Sequence, residues 1–299
     1  LKEKSVKFYK QVILGSLATL IAVPLLAALF LVLENGRLRG MLENGIIPDD
    51  IVTVGASQFE PAGVVRDRPV LSYQLLYPDF KTEFLGFNND LVNEKTVFLT
   101  FDDGPSDRTA EILDILKRHD VKTTFFVNGK SNRYLTEQLK RTVEEGHIVG
   151  MHSYTHRYKT IYSSMENFLD DFYRNYLYIK SETGIAPEIL RFPGGSINIF
   201  NISTYQPMIS EVLRRGFMYY DWNVSAGDAM NGVTTQDIVN NVLNGVRLCW
   251  GPAIVLMHDN GNPVLSAALE IVVASLKNEG YTFKKLDSSI KPPMFVYPD

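Results

Sequence analysis

Residues 97–104 read Val97-Phe98-Leu99-Thr100-Phe101-Asp102-Asp103-Gly104, an apolar run that stops in two carboxylates and a turn. Parallel strands covered on both faces read as near-continuous apolar runs, because neither face meets water. The same pattern returns four times downstream. Residues 148–156 end in His152-Ser153-Tyr154-Thr155-His156, and residues 189–195 in Arg191-Phe192-Pro193-Gly194-Gly195. Residues 220–228 carry Trp222 and close on Asp228, and residues 254–258 close on His258. Open α/β sheets and (β/α) barrels place their sites at the carboxyl ends of their strands. The five polar endings are therefore expected on one rim, where paired carboxylates, a His pair, an Arg and a further Asp and His suit a metal hydrolase.

The sequence between and around these runs fits that frame. Periodicity predicts strands over 96–101, 121–127, 147–152, 189–192, 218–224, 253–257 and 282–285. It predicts helices over 108–118, 134–145, 165–182, 204–215, 234–246 and 265–278. Gly146, Gly184, Gly216 and Gly280 stop four of the helices, and Thr234 or Thr235 caps another. Repeated βα units predict a parallel sheet, open or closed into a barrel.

Ahead of residue 95 this rhythm is absent. Residues 11–33 hold no charged side chain, and roughly 20 such residues cross a bilayer core. Lys2, Lys4, Lys7 and Lys10 precede the run, whereas Glu34, Arg37 and Arg39 follow it. That bias predicts a cytoplasmic N-terminus and an exported remainder. Pro24 is tolerated in a membrane helix. A cleaved signal would carry an apolar region of about 7–15 residues and a small-x-small site. Phe30-Leu31-Val32-Leu33 is a poor one, so a retained transmembrane helix is expected over a cleaved signal or a buried helix. The sequence opens on Leu1 rather than Met, so residues upstream are expected. The expected domains are a cytoplasmic tail and membrane anchor over 1–33, a stem over 34–94 broken by glycine and proline, a catalytic domain over 95–290, and a tail over 291–299. Within the stem, residues 70–77 are a candidate strand lying on the catalytic domain.

Composition narrows the chemistry. The net charge of −4 comes from mixed signs, so no basic field points to nucleic acid. Cys249 is the single cysteine, which excludes an internal disulfide and a thiolate metal site. It reads as a small core hydrophobe. Any metal must then be held by His and carboxylate.

Each motif has a bland reading beside the chemical one. Asp102 and Asp103 at a strand-to-turn junction can both face one site, one holding a metal and the other free as a base, but an Asp-Asp-Gly-Pro run also fits a solvated turn. His152 and His156, four apart, would share one face of a helical turn, a spacing other zinc motifs use. His119 and His147 sit at element ends with no partner in view. Arg191, a charge ending an apolar strand, needs a partner, and Asp102 is available; a structural ion pair is the alternative. The glycines after Arg191 expose backbone N–H groups to a developing oxyanion. His258 is a candidate general acid, kept protonated near neutrality by Asp228.

In order, Thr-Phe-Asp-Asp-Gly, His-Ser-x-x-His, Arg-x-Pro-x-Gly, an Asp after a Trp-containing strand, and Leu-x-His resemble the NodB-homology polysaccharide deacetylases, carbohydrate esterase family four. The likeness covers about two thirds of the chain, over 95–290. It implies a distorted (β/α) barrel. It implies Asp102 as catalytic base, Asp103, His152 and His156 as ligands of one divalent metal, commonly zinc with cobalt, nickel or manganese as alternatives, and Arg191 as the residue that orients Asp102. It implies Asp228 tuning His258, the general acid, and Leu256 lining the acetyl pocket, with Gly194 and Trp222 near substrate. Two departures stand out: Gly194 replaces an aromatic, and Ala229 replaces a Trp. Both are expected to open or reshape the sugar groove.

The expected reaction is hydrolysis of N-acetyl groups on an envelope polysaccharide, with peptidoglycan N-acetylglucosamine as the leading substrate given the predicted topology. Chitin oligomers, an exopolysaccharide, a muramic acid residue and O-acetyl esters are alternatives within the same chemistry. A catalytically silent glycan-binding protein keeps the fold but not the reaction. A phosphoryl-transfer site on Asp102, Asp103 and Asp228 is disfavoured by the His pair and by the lack of a phosphate-cradling glycine loop.

Overall fold

The structure is a computed structural model that describes residues 70–88, 92–130 and 132–291. The predicted membrane helix, most of the stem and most of the C-terminal tail lie outside the described residues. Among the described residues, no helix is long and apolar enough to cross a membrane.

The strands are β1 (Thr96–Asp102), β2 (Thr124–Asn128), β3 (Ile148–Ser153), β4 (Ile189–Leu190), β5 (Met218–Tyr219), β6 (Val224–Ser225), β7 (Ala253–His258) and β8 (Thr282–Phe283). The helices are α1 (Thr109–Arg118), α2 (Arg133–Glu144), α3 (Tyr158–Ile161), α4 (Met165–Thr183), α5 (Tyr205–Arg214), α6 (Thr235–Leu248) and α7 (Pro263–Asn278). Every ladder is parallel, and the sheet runs β5-β4-β3-β2-β1-β7-β6, with β8 added beside the start of β1. The sheet curls as a barrel would but leaves β5 and β6 at its two edges, unpaired with each other.

That seam corrects the single strand predicted over 218–224. Its first part pairs with β4 and its last part with β7, so Tyr220, Asp221, Trp222 and Asn223 cross the gap outside any ladder. Their carbonyls still need donors, because a buried unpaired C=O is costly. The Arg191 side chain supplies two, with Nε donating to Tyr220 O at 2.9 Å and Nη2 to Asp221 O at 3.1 Å.

The two-residue period of a strand sorts β1 between two environments. Val97, Leu99 and Phe101 pack outward against the helices, and Phe98 faces the inner cluster with Phe126, Ile189, Met218, Tyr220, Ile254, Leu286 and Ile290. All seven residues of β1 are buried, and each large apolar side chain removed from water contributes roughly 1.5–3 kcal/mol. The helices close the outer face with apolar stripes such as Phe168, Leu169, Phe172, Tyr176 and Ile179 on α4. Thr234, one of the two predicted caps, forms a capping box with Asp237 at the start of α6.

Residues 70–77 form no strand; Ser72–Leu75 is a single tight helical turn. The segment packs against the βα core rather than standing off it. Phe80 is buried against Tyr176 and Phe217, and Tyr77 stacks on Tyr173 at 4.3 Å. Arg215 donates to the carbonyls of Leu76, Tyr77 and Phe80 at 2.8–3.0 Å. The compact unit accordingly spans Arg68–Asp299, and residue 95 marks where the β/α rhythm starts rather than where packing starts.

Candidate active site

The parallel register brings the strand ends together. Asp102 and His258 are direct partners on β1 and β7, and Arg191 leaves the end of β4 with its N–H bonded to Met151 O of β3 at 2.8 Å. Arg191 is fully buried. Its Nη1 donates to Asp102 Oδ1 at 2.9 Å and to Thr100 Oγ1 at 2.7 Å, and its Cζ lies 4.4 Å from the Phe126 ring centroid and 5.7 Å from that of Trp222. With Tyr220 O and Asp221 O, the guanidinium has hydrogen-bond acceptors on all three nitrogens, which is what makes a buried cation tolerable.

Asp103 and His156 both adopt left-handed backbone, with φ 72° and 55°. That conformation is strained for residues with a side chain and marks positions held by their surroundings. At Asp103 it breaks strand alternation, so adjacent carboxylates reach one site. At His156 it corrects the helical-turn reading. His152 lies on β3 and His156 in the loop beyond it, and that loop hangs from α4. Asp171 accepts from Ser153 Oγ at 2.6 Å, Tyr154 N at 2.7 Å, and Thr155 N and Oγ1 at 3.1 and 2.5 Å. Ser153 Oγ in turn accepts from His156 N at 2.8 Å.

Asp103, His152 and His156 each bring one ligand atom to within 4.8 Å of the others. Asp103 Oδ1 is 3.1 Å from His156 Nε2 and 3.6 Å from His152 Nε2. His152 Nδ1 is 2.9 Å from Arg191 O, so that nitrogen carries the proton and Nε2 turns its lone pair inward. Burial and the neighbouring His152 hold the His156 imidazole below its ordinary pKa, against the pull of Asp103 and Asp102, which favours the neutral ligating form. Burial would raise the Asp103 carboxyl, but His152, His156, His258 and the Asn128 amide together hold it low. Two imidazoles and a carboxylate fit a divalent metal ion.

His258 N donates to Asp228 Oδ2 at 2.6 Å, and its Nδ1 lies 3.0 Å from Asp228 Oδ1. Burial works to lower the imidazole pKa, but the Asp228 hydrogen bond and charge, with Asp102 and Asp103, raise it to about 8. Leu256 is buried one strand repeat below His258. The Gly194 N–H donates to no group among the described residues, while the Gly195 N–H is taken by Phe192 O. Trp222 is half-buried over Arg191. The groove beside the site measures about 1120 Å³ and is lined by Asp103, His156, Asn128, Lys130, Ser106 and Asp259, among others.

All the predicted catalytic and metal residues thus meet on one rim. Sequence reasoning missed three supporting carboxylates. Asp171 sits on the apolar stripe of α4, three residues after Phe168, and an acid on such a stripe was the available signal. Asp259 accepts from Ser106 Oγ and Thr109 Oγ1, both at 2.5 Å, and its N–H holds Asp102 O at 2.7 Å. Asp221 accepts from Ser196 N and Oγ at 2.8 and 2.6 Å, pinning the loop after Gly194. His119 and His147 do have partners: Glu270 Oε1 is 2.6 Å from His119 Nε2, and His147 Nδ1 accepts from Thr123 N at 3.1 Å. At Gly194 the replacement reshapes the groove rather than opening it. A Cβ built there would lie 2.8 Å from Cε1 of Tyr158, whose ring fills that space.

The chain is similar to known proteins over the same β/α region. The polysaccharide deacetylase family model matches residues 90–204. A peptidoglycan-N-acetylglucosamine deacetylase of Bacillus cereus is 34% identical over 195 residues, 64% of this chain and 68% of that protein. The catalytic domain of peptidoglycan N-acetylglucosamine deacetylase from Eubacterium rectale superposes with a TM-score of 0.64 at 35% identity, covering 72% of this chain and 97% of that one. The polysaccharide deacetylase Bc1974 from Bacillus cereus gives 0.60 at 33% identity, covering 67% and 97%.

Proposed function

This chain belongs to the polysaccharide deacetylase family, and we propose from that premise that it removes N-acetyl groups from the N-acetylglucosamine of peptidoglycan, releasing acetate and leaving a free amine. The observation that carries the reading is the convergence of a base paired to a buried Arg, a two-His-one-Asp ligand set, and a His–Asp acid on one strand-end rim.

Each side chain has a task in amide hydrolysis. A divalent ion held by Asp103, His152 and His156, zinc by its donor set, supplies Lewis-acid polarisation of the carbonyl and acidifies water when bound. Asp102, oriented by Arg191, takes the proton of the attacking water. The free Gly194 N–H is positioned to donate to the tetrahedral oxyanion. His258 then gives its proton to the departing nitrogen, because an amide anion is too poor a leaving group to depart unprotonated. Leu256 walls the acetyl methyl, and Trp222, besides covering Arg191, offers its open side to the sugar.

The uncharged run 11–33 and the lysines before it support a membrane anchor with the catalytic unit outside the cytoplasm, where peptidoglycan is. The full chain, purified in detergent and loaded with zinc, is expected to release acetate from purified peptidoglycan faster than from chitin oligomers. Release from chitin oligomers alone would move the substrate away from the wall, and release from neither would refute the reading.

A further inference from the structure

Resting on that deacetylase reading, we propose that the ring of Tyr158, backed by Phe200, is the stacking wall that seats the pyranose carrying the reacting acetamide. Gly194 lies within the Arg191 motif and is exposed, with φ +78°, a conformation that side chains rarely adopt. A Cβ there would meet Tyr158 Cε1 at 2.8 Å, Tyr158 Oη at 3.5 Å and Asn198 Cβ at 3.6 Å. The space a residue-194 side chain would occupy is therefore taken by an aromatic ring from another segment.

That ring is held on several sides. It meets the His156 imidazole edge to face, with centroids 5.2 Å apart at 83°. It lies 5.2 Å from Phe200 and 6.2 Å from Tyr162. Tyr162, buried just past the end of α3, donates its hydroxyl to Pro193 O at 2.8 Å, tying this helical turn to the Gly194 loop. Tyr158 is thus fixed between a metal ligand and the oxyanion donor, next to where the acetamide must lie. Its hydroxyl makes no hydrogen bond among the described residues, and it remains half-buried, with Phe200 and Ile199 exposed beyond it.

A pyranose presents C–H groups on its faces and hydroxyls around its edge. It therefore gains from an aromatic face on one side and polar groups around it. A ring already immobilised by its neighbours loses little freedom when the sugar lands. The wall thus fixes which face of the sugar meets the base and which sugar of the polymer sits over the ligand set.

The test uses the full zinc-loaded chain, chitin oligomers and peptidoglycan, with Tyr158→Ala and Tyr158→Phe compared by steady-state kinetics, bound-zinc content and calorimetric binding of an N-acetylated chitin oligomer. Tyr158→Ala is expected to raise KM about tenfold, to lower kcat by less, and to keep its zinc. Tyr158→Phe is expected to recover most of the lost affinity, because the ring is what stacks. An unchanged KM in Tyr158→Ala overturns the proposal. So does a loss of zinc with a matching loss of kcat at constant KM, which would make Tyr158 a prop for His156. If the wild-type chain releases no acetate, the deacetylase reading fails on its own. The wall is then judged by binding, where equal affinities for wild type and Tyr158→Ala overturn it and weaker binding by the variant supports it.

Discussion

Asp102 and His258 stand side by side on β1 and β7, and their neighbours suit them to opposite tasks in the proposed reaction. Asp102 is held by a guanidinium, as a proton acceptor requires, and His258 by a carboxylate, as a donor requires. The His258 pKa of about 8 sets a pH limb with a definite sign. The acid must be protonated, so kcat/KM is expected to fall as pH rises through about 8. Asp228 is the main raising influence, so Asp228→Asn is expected to move that limb to lower pH as well as lower the rate. A pH–rate profile checks this, and an unmoved limb would remove His258 from the acid role. Arg191 makes a different prediction. Arg191→Met leaves Asp102 buried without its cation and strips donors from two seam carbonyls. Breaking a buried pair in this way costs about 3–5 kcal/mol, readable by urea unfolding. A cost below about 1 kcal/mol would show that the seam does not depend on the guanidinium. The convergence of the candidate site residues was legible in the sequence because their types are unusual at the ends of apolar strands. The left-handed φ of Asp103 and His156 was not, since these residues sit in turns hydrogen-bonded by Asp259, Asn128 and Asp171 from remote parts of the chain.

The long amphipathic helices and β1, β3 and β7 were readable because a clear period and buried runs leave little choice of element. The seam was not. An apolar stretch such as 218–224 reads as one strand whether its two ends join one ladder or opposite edges of an open sheet. The 70–77 segment lies on the catalytic unit but forms no strand for a related reason: Tyr77 stacks on α4 and the backbone carbonyls bind Arg215, so neither joins a ladder. The loop entering β3 carries a further consequence. His147 is buried, with Nδ1 accepting from Thr123 N and Nε2 without a hydrogen-bond partner. Burial, reinforced by Lys122, lowers its pKa from 6.5 to about 4. A group whose folded pKa is depressed binds protons more readily in the unfolded chain. Its contribution is therefore whole above the unfolded value and is lost as pH falls from about 6.5 to about 4. The loss is of order 3 kcal/mol. Urea unfolding at pH 7 and pH 4 is expected to show this loss and to show less of it in His147→Asn. An equal loss in both would place the acid sensitivity elsewhere.

The whole molecule joins a catalytic unit, Arg68–Asp299, to an N-terminal stretch whose uncharged run predicts an anchor. If that run holds the unit outside the cytoplasmic membrane, protease added to intact spheroplasts is expected to degrade the catalytic unit. Protection until lysis would place it inside. The fold class was legible because five strand-end motifs repeat one βα grammar, whereas the walls of the groove depend on which loops meet in space, as Tyr158 and Gly194 do. The proposed reaction rests on one rim of one sheet, and a single comparison decides it. Acetate and new free amine are counted together on purified peptidoglycan for the zinc-loaded wild type and for Asp102→Asn at equal zinc content. The account predicts one acetate for each new amine, and a rate lowered about 10²–10⁴-fold in the variant, the usual worth of a general base. Acetate without amine, or equal rates in the two proteins, would contradict it.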